Sequence, residues 1–544
     1  MRKTILIGGK AGQGIAMTST LLGKIFANAG FYVFNYRDYP SLIRGGHNFN
    51  VLAISDSPVF SFEKDYDIIV ALDQNTINKH KKYLKKQGFI LGGKALKSQK
   101  LISLDLERIL SAMRLPPIFG NNILIGYIAH YFGLPLADVL RVIRREFGEK
   151  ADVVSKSIEF AYGIKLHHQE KVRKKRKKKY FFSGNEAIGL GAIAAGIDIY
   201  FAYPMTPATP VLHYLAKKQK EHNLLVVQPE NEIAVINAAL GASFAGAKTM
   251  VGTSGGGFCL MAEACSLQGM SEVPLVVYLA QRTGPSTGVP TYTTQGDLKF
   301  ALNVGHGEFP RIVVAPGDAK EAFLRTIEAF YLSQKYRTLV IILGDKHLGE
   351  SHFSFDEIEK PRVKSRDFLI KNPSPDYKSY KITKDGVSPR TVPGIGPTVR
   401  ASGYEHDEEG ITTEEEFKVS QMTEKRLRKI ESIRKEIARL DPIKVYGRGE
   451  NLIVSWGSTK GAIIDSLKKL KGFRFLQIIY LEPFPWLQVE REIKKAKRVF
   501  LVENNATGLL GKVIREQTGI LIKRKILKYN GRPFYPSEII KKIK

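Results

Sequence analysis

QPENEIAVINAALGASFAG, residues 228–246, decides how the middle of this 544-residue chain is read. Two acids, Glu230 and Glu232, precede a run that is almost wholly apolar or small. Carboxylates in the first turn of a helix are stabilised by its dipole, and Pro229 suits a first-turn position. Ile233, Ala234, Val235, Ile236, Ala238, Ala239 and Leu240 cover every face, so the spacing predicts a helix buried all round. Ala234, Ala238, Gly241, Ala242 and Ala245 would let another backbone come close. An acid at the mouth of such a helix is cut off from water. A protonatable carboxyl in a dry site can exchange a proton with a ring nitrogen of a ligand. The simpler alternative is an acid that serves the helix dipole alone.

Composition narrows the field. A chain of this length holds roughly three or four domains. Its hydrophobic content of 43% is enough for large cores. No apolar run reaches the ~18 residues of a membrane span. The start, MRKTILIGGKAGQG, reads as a first strand and not a signal peptide, so a cytosolic protein is expected. Cys259 and Cys265, inside an apolar helix-like stretch, are expected to be buried thiols. Two cysteines exclude a disulfide framework or an iron–sulfur cluster held by this chain alone. Lys and Arg number 83 against 53 Asp and Glu, a net charge of +30. That suits an acidic partner, an anionic cofactor or nucleic acid. KVRKKRKKK, 171–179, has no interleaved aromatics to stack on bases, so a solvated linker is the better reading of it.

Alternating apolar runs and turns imply open α/β sheets. Residues 1–168 form one such domain, with strands at TILIGG, FYVFNY and DIIVALD and a helix at IFGNNILIGYIAHYFG. A basic linker follows at 169–180. Residues 181–345 repeat the pattern, with strands at IDIYFAY, KTMVGT, PLVVYLA, RIVVAP and TLVIILGD. Residues 346–440 are rich in Pro, Gly and charge and end in the helix TEKRLRKIESIRKEIARL. Residues 441–544 return to α/β. SPRTVPGIGPTVRASGYEHDEEG, 388–410, has neither helical nor strand periodicity and reads as a lid or a partner-contact arm.

Four loops can carry chemistry. GGKAGQG, 8–14, lies between a strand and a helix, and Gly9, Gly12 and Gly14 could bring backbone amides to a phosphate. It lacks the Gly-Lys-Ser/Thr of a Walker loop, and a plain tight turn explains it equally well. In YPMTP, 203–207, Tyr203 and Thr206 stand at the end of a parallel strand, where open sheets bind ligands, and Thr206 also suits a helix cap. Ser254 and Gly255 open a triple-glycine turn suited to a ligand's close approach. QRTGPSTGVPT, 281–291, follows PLVVYLA and offers Arg282, which can grip a carboxylate with two hydrogen bonds.

Taken together, residues 181–345 resemble the pyrimidine-binding domain of thiamine diphosphate enzymes. More narrowly, the chain resembles the 2-oxoacid:ferredoxin oxidoreductase family. The resemblance rests on YPMTP, ENEIAVINAALGAS, TSGGGFCLMAEA, QRTGPSTGVPT, GVSPRTVPG, GYEHDEEG and GRPFYP, which look like its α-type subunit. GGKAGQG with LIRGGHN looks like its γ-type subunit, so the whole resembles a γ–α fusion ending in a transketolase C-terminal-like domain at 441–544.

The resemblance implies roles. Glu232, followed nine positions later by Gly241-Ala242, matches the acid that bonds the cofactor's aminopyrimidine ring and helps it take its imino form. Thr206, Arg282 and Thr287 match positions at the substrate's 2-oxoacid group, with Tyr203 beside them. Ser254 and Gly255 fall at the cofactor, and Gly9, Gly12 and Gly14 at coenzyme A. Gly-Asp occurs at 296–297, 317–318 and 344–345, never followed by the Gly of the thiamine metal motif. A β-type subunit is therefore expected to supply the diphosphate site, Mg²⁺ and a [4Fe–4S] cluster, with ferredoxin as acceptor. In the γ-like part, Leu52-Ala53-Ile54 precedes Ser55-Asp56 where the family usually has an Arg, which weakens the case for coenzyme A there. The implied reaction is coenzyme A-dependent oxidative decarboxylation of 2-oxoglutarate or a broad range of 2-oxoacids. Pyruvate, branched-chain and aryl 2-oxoacids are alternatives, and a basic nucleic-acid-binding protein is a distant one.

Overall fold

The computed structural model describes residues 2–42, 45–166, 168–170, 177–364 and 366–544. Residues 171–176 of the basic stretch, and Ile43 and Arg44 of LIRGGHN, lie outside these. The chain is α/β, as its alternating pattern implies, and it forms two compact units.

The first unit comprises the described residues up to Ser183, with Glu350–Ile358 and Tyr535–Lys544. Its eight-stranded sheet is built around Arg2–Gly9, whose Ile5, Leu6 and Ile7 are fully buried. Tyr66–Ala71, Leu84–Gly93 and Leu101–Leu104 lie on one side of it in parallel. Asn48–Ser55 and Tyr32–Asp38 lie on the other side, each antiparallel to its neighbour. His352–Phe355 and Tyr180–Ser183 complete that flank, so residues from both ends of the middle segment join this sheet. Leu52, Ala53 and Ile54 are fully buried on the strand Asn48–Ser55, which explains why apolar residues stand there.

The second unit comprises Gly184–Gly349 and Glu359–Phe534. Its seven-stranded sheet runs, in spatial order, Tyr480–Glu482, Arg311–Val314, Leu339–Asp345, Leu275–Gln281, Thr249–Thr253, Ile199–Phe201 and Leu225–Val227. All neighbours pair in parallel except the first two. A five-stranded sheet is built from Ile443–Gly447, Phe473–Ile478, Asn451–Trp456, Arg498–Glu503 and Arg524–Leu527. One apolar cluster, from Phe201 through Leu279 to Trp456 and Ile514, packs both sheets together. No helix among the described residues is long and apolar enough to cross a membrane.

The stretch 388–410 has neither helix nor strand, as its composition suggests, yet it is pinned. Arg390 is buried and donates to Gln334 Oε1 at 3.0 Å, and His406 is fully buried against Tyr380. The acids of EHDEEG hold the loop itself: Glu405 pairs with Arg426, and Asp407 accepts from the amides of Glu409 and Ile411.

Glu272 fixes the strand that delivers the site. It closes the helix Ala262–Ser271 in a left-handed conformation, φ 52°, just before the strand Leu275–Gln281. Its buried carboxylate pairs with Lys425 at 2.5 Å and with Lys429, both on the helix Glu416–Ile437, and its carbonyl accepts from Arg337 Nε at 3.1 Å. Burial alone would push this carboxyl up. The three cations outweigh burial and hold it well below the usual carboxylate range. The stability it contributes is therefore complete above the ordinary carboxylate pKa and is lost as pH falls through the depressed folded value. Glu272→Gln leaves buried lysines without their anion, and thermal unfolding should register a loss of about 3–5 kcal/mol. Lys435→Gln, at an exposed ion pair on the same helix, should leave the midpoint unchanged.

Candidate active site

The helix predicted from 228–246 runs from Glu232 to Phe244. Asn231 caps it, its side chain accepting from the Ala234 amide at 2.9 Å, so Pro229 and Glu230 precede the helix rather than open it. Glu230 is exposed, whereas Glu232 is 4% exposed and its Oε1 is buried without a hydrogen-bond partner. The expectation of a helix buried all round is corrected by Ile233, 52% exposed, and by exposed Asn237, Ala238 and Gly241 on the same side. An all-apolar composition does not say which elements cover it, and this chain covers one side only.

Glu232 reaches the triple-glycine turn. The strand Thr249–Thr253 ends in Ser254, and Gly255–Leu260 follows as a short helix. A Cβ on Gly257 would collide with Thr253 Oγ1 and stand 2.7 Å from Glu232 Oε1. One on Gly255 would stand 2.8 Å from Asp297 Oδ2, while one on Gly256 would meet nothing within 4 Å. Two carboxylates thus lie on the turn, one to each side of an open glycine. Ser254 is fully buried and its Oγ has no partner. Cys265 is buried, as expected, and burial pushes its thiol up to about 12. Cys259 is exposed, against expectation, because it lies on the outer side of this short helix.

Arg282 follows the strand Leu275–Gln281. Its Nη1 donates to the Thr206 carbonyl at 2.9 Å, and its buried Nε has no partner. Burial lowers its pKa, and the charges of Asp297 and Glu232 oppose that shift. Burial pushes Asp297 up to about 6 against the pull of Arg282. Thr206 therefore meets Arg282 through its backbone. It is not a helix cap, since Ala208 occupies that position before Thr209–His222. Tyr203 is 39% exposed. Beyond Arg282 the loop folds back, pairing Thr283 with Val289. Thr287 lies exposed on its outside, while Thr291 is buried with an unpartnered Oγ1. Sequence reading passed over Thr291 and Asp297. The available signal was a second hydroxyl and an acid within the same polar segment.

In the first unit, Gly12 and Gly14 adopt φ of 91° and 75°, and the helix Ile15–Asn28 begins after Gly14. A Cβ on Gly9 would strike the Gln13 side chain. The amide of Lys10 donates to Gln13 Oε1 at 2.6 Å, that of Gln13 to Lys10 O, and that of Ala11 to Gly45 O at 3.4 Å. The amides of Lys10, Ala11 and Gln13 are thus taken, and Gly12 is left open, with nothing near a Cβ there. Beside it lies a cavity of about 920 Å³ lined by Gln13, Leu72, Lys94, Asp105 and Asn121, at the carboxyl ends of parallel strands. His47 of LIRGGHN sits near Gly8, its Nε2 2.8 Å from that of His80, and burial drives His80 down to about 3.

A buried carboxyl without a hydrogen-bond partner, a glycine with open space where a Cβ would stand and a guanidinium with an unpartnered Nε are thus carried by neighbouring elements of this sheet. Residues 190–426 match the family model for the thiamine diphosphate-binding domain of pyruvate flavodoxin/ferredoxin oxidoreductases, and residues 4–162 match that for pyruvate ferredoxin/flavodoxin oxidoreductase. The 2-oxoacid:ferredoxin oxidoreductase subunit alpha of a Sulfolobus species is 33% identical, over 99% of this chain and 96% of its own length. The 2-oxoglutarate synthase subunit KorA of Methanothermobacter marburgensis is 30% identical over 67% of this chain and 98% of its own. The structure of 2-oxoglutarate:ferredoxin oxidoreductase from Magnetococcus marinus, with 2-oxoglutarate, coenzyme A and succinyl-CoA bound, superposes with a TM-score of 0.88. It is 28% identical and covers 100% of this chain and 99% of that one. The chain belongs to the 2-oxoacid:ferredoxin oxidoreductase family and is a subunit of such an oxidoreductase.

Gly257→Ala tests the turn. The added methyl must displace the Glu232 carboxyl, so thiamine diphosphate binding by the assembled enzyme should weaken at least about ten-fold, read by calorimetry. Gly256→Ala should leave the backbone fold and the melting temperature unchanged.

Proposed function

We propose that this chain supplies the pyrimidine half of a thiamine diphosphate site and the substrate-gripping arginine of a coenzyme A-dependent 2-oxoacid:ferredoxin oxidoreductase. The overall reaction takes a 2-oxoacid anion, coenzyme A and two oxidised ferredoxins to an acyl-CoA, CO₂, one proton and two reduced ferredoxins. The observation that carries this reading is the convergence of Glu232 Oε1 and Ser254 Oγ, both buried and unpartnered, on a turn with an open glycine. Bound there, thiamine diphosphate would supply the carbanion that attacks the 2-oxo carbon.

The residues of this chain do the rest by placement. Glu232 would hold a ring nitrogen of the cofactor and share a proton with it, once a partner covering the exposed side of its helix keeps water from competing. Arg282, with Nη1 committed to Thr206 O, has its Nε free for a substrate carboxylate. Thr291 offers a buried hydroxyl to the same region. Thr287, exposed on the outer side of the loop, acts only if that loop folds inward.

A β-type partner would bring the diphosphate and Mg²⁺ site and the [4Fe–4S] cluster. The uncovered side of the helix Glu232–Phe244 supports such a partner, as do exposed Leu225 and Val227 on the edge strand and Leu260 on the glycine-turn helix. For coenzyme A, the cavity beside Gly12 is the best candidate, with Lys94 available to a phosphate. The +30 charge favours encounter with an acidic ferredoxin. The names of the relatives favour 2-oxoglutarate or a broad range of 2-oxoacids.

Co-expression with the β-type partner, followed by anaerobic viologen reduction with each 2-oxoacid, tests the reading. Reduction should require both chains and coenzyme A, and the order of rates names the substrate. Glu232→Gln should lower kcat about 10²–10⁴-fold, the range for loss of a positioned proton-transfer group. Normal turnover by that variant would remove Glu232 from the mechanism.

A further inference from the structure

Asp297 is a buried carboxylate of this site for which the reading above gives no work. Its position is fixed through its backbone. The Asp297 amide donates to Gln281 Oε1 at 2.9 Å, and Gln281 Nε2 donates to the Gly344 carbonyl at 3.0 Å. Gln281 is fully buried and immediately precedes Arg282, so one glutamine sets both the acid and the arginine. The Asp297 side chain, in contrast, does no structural task. It does not cap the helix Leu298–Leu302 that follows, it makes no ion pair, and its Oδ2 is buried without a partner against Gly255.

The charges around it do not balance once substrate arrives. Arg282 is attracted by both Glu232 and Asp297, two carboxylates to one guanidinium. A 2-oxoacid brings a third carboxylate into a region shielded from water. One of the three must lose its charge, because buried like charges cannot all stay ionised beside a single cation. Glu232 is committed to the cofactor ring in the proposed function, on which this inference rests. We propose that Asp297 is a proton-linked positioning residue: ionised, it attracts the Arg282 guanidinium through space, and it takes up a proton from solvent when a 2-oxoacid carboxylate claims that guanidinium. No covalent bond changes in this step. Burial already holds the Asp297 carboxyl at about 6, so a modest further push carries it across neutral pH.

The other charged groups nearby are accounted for. Cys259, on the glycine-turn helix, feels the Asp297 charge as a further upward push on its thiol. Lys299, on Asp297's own helix, pairs with Glu516, whose helix also carries Lys512 and Arg515, both exposed. Arg311 donates to the Leu302 carbonyl at 3.0 Å, and Asp345 accepts from Thr293 Oγ1 at 3.1 Å. Arg282 is left as the cation that answers to Asp297.

Calorimetric titration of the assembled complex with 2-oxoglutarate, in two pH 7 buffers of different ionisation enthalpy, counts the protons bound with the ligand. Uptake of roughly 0.4 proton per site is expected for a carboxyl raised by about one unit from its starting value of about 6. Affinity should weaken about five-fold from pH 6 to 8, the linkage over that range for a one-unit difference in pKa between free and bound states. Asp297→Asn should abolish the uptake and flatten the pH profile, and Asp297→Glu should retain both. The wild-type measurement stands even if a variant fails to assemble. Binding of 2-oxoglutarate without proton uptake, or with undiminished uptake in Asp297→Asn, overturns the assignment and leaves the 2-oxoacid reading intact. Failure to bind 2-oxoglutarate, pyruvate and a branched-chain 2-oxoacid alike overturns both.

Discussion

Everything at the site depends on three consecutive residues without side chains. At Gly257 a methyl would occupy the place of the Glu232 carboxyl, and at Gly255 that of Asp297. Their absence lets two acids approach the backbone closely on either side of Gly256, which stays open. Such a turn is costly in chain entropy, and carboxylates buried without partners are costly in lost hydration. The surrounding structure sustains both. Asn231 caps the helix that carries Glu232, Gln281 ties down the Asp297 amide, and Glu272 anchors the segment leading into the Arg282 strand. Buried unsatisfied groups call for an explanation, and at Glu232, Ser254, Arg282 and Asp297 a ligand would supply one.

The contrast with the rest of the second unit sharpens the point. Lys460 is buried between Asp318 at 2.5 Å and Glu321 at 2.6 Å, and Gln477 and the Gly317 amide complete the coordination of Glu321. Arg325, Glu328 and Tyr480 form a second set of buried contacts, in which the Arg325 guanidinium pairs with Glu328 and only its Nε is left without a partner. In each, ions meet at hydrogen-bond distance, which offsets desolvation and holds strands and helices in register. Arg282, Glu232 and Asp297 feel one another's charge without an ion pair between any two of them. They are held apart by a distance that a substrate or a cofactor ring could span.

The sequence carries much of this, unevenly. Parallel strands such as Leu275–Gln281 and Leu339–Asp345 are continuous apolar runs, and their ends marked where ligand-binding loops would lie. Asn48–Ser55 escaped notice because a short apolar run bounded by polar residues has no distinctive period, and Leu84–Gly93 because its first half is polar and exposed. Glu232 was legible because a carboxylate heads an otherwise apolar helix. The open side of that helix was not, since covering depends on distant segments. Thr287 and Thr291 share one loop, and only the fold-back at Thr283–Val289 turns one outward and buries the other. Asp297 was weighed solely as part of a metal motif that lacks its last glycine. In EHDEEG, Glu405 is spent on Arg426 of the helix Glu416–Ile437 and Asp407 on amides of its own loop, contacts that the sequence pattern does not show.

The site is half of something, and its own exposure says so. Ile233, Asn237, Ala238 and Gly241 recur at helical spacing on the side of Glu232–Phe244 that no other part of this unit covers, directly after the buried acid. Small residues there would let a second backbone approach closely, as the sequence pattern suggested. A ligand alone could satisfy Glu232 and Arg282 but would leave that side wet, and water near the acid would compete for the ring nitrogen. A partner alone would exclude water but leave two carboxylates and a guanidinium unmatched. Only the two together remove both costs, so cofactor binding and subunit association should reinforce each other, and each should be weaker without the other.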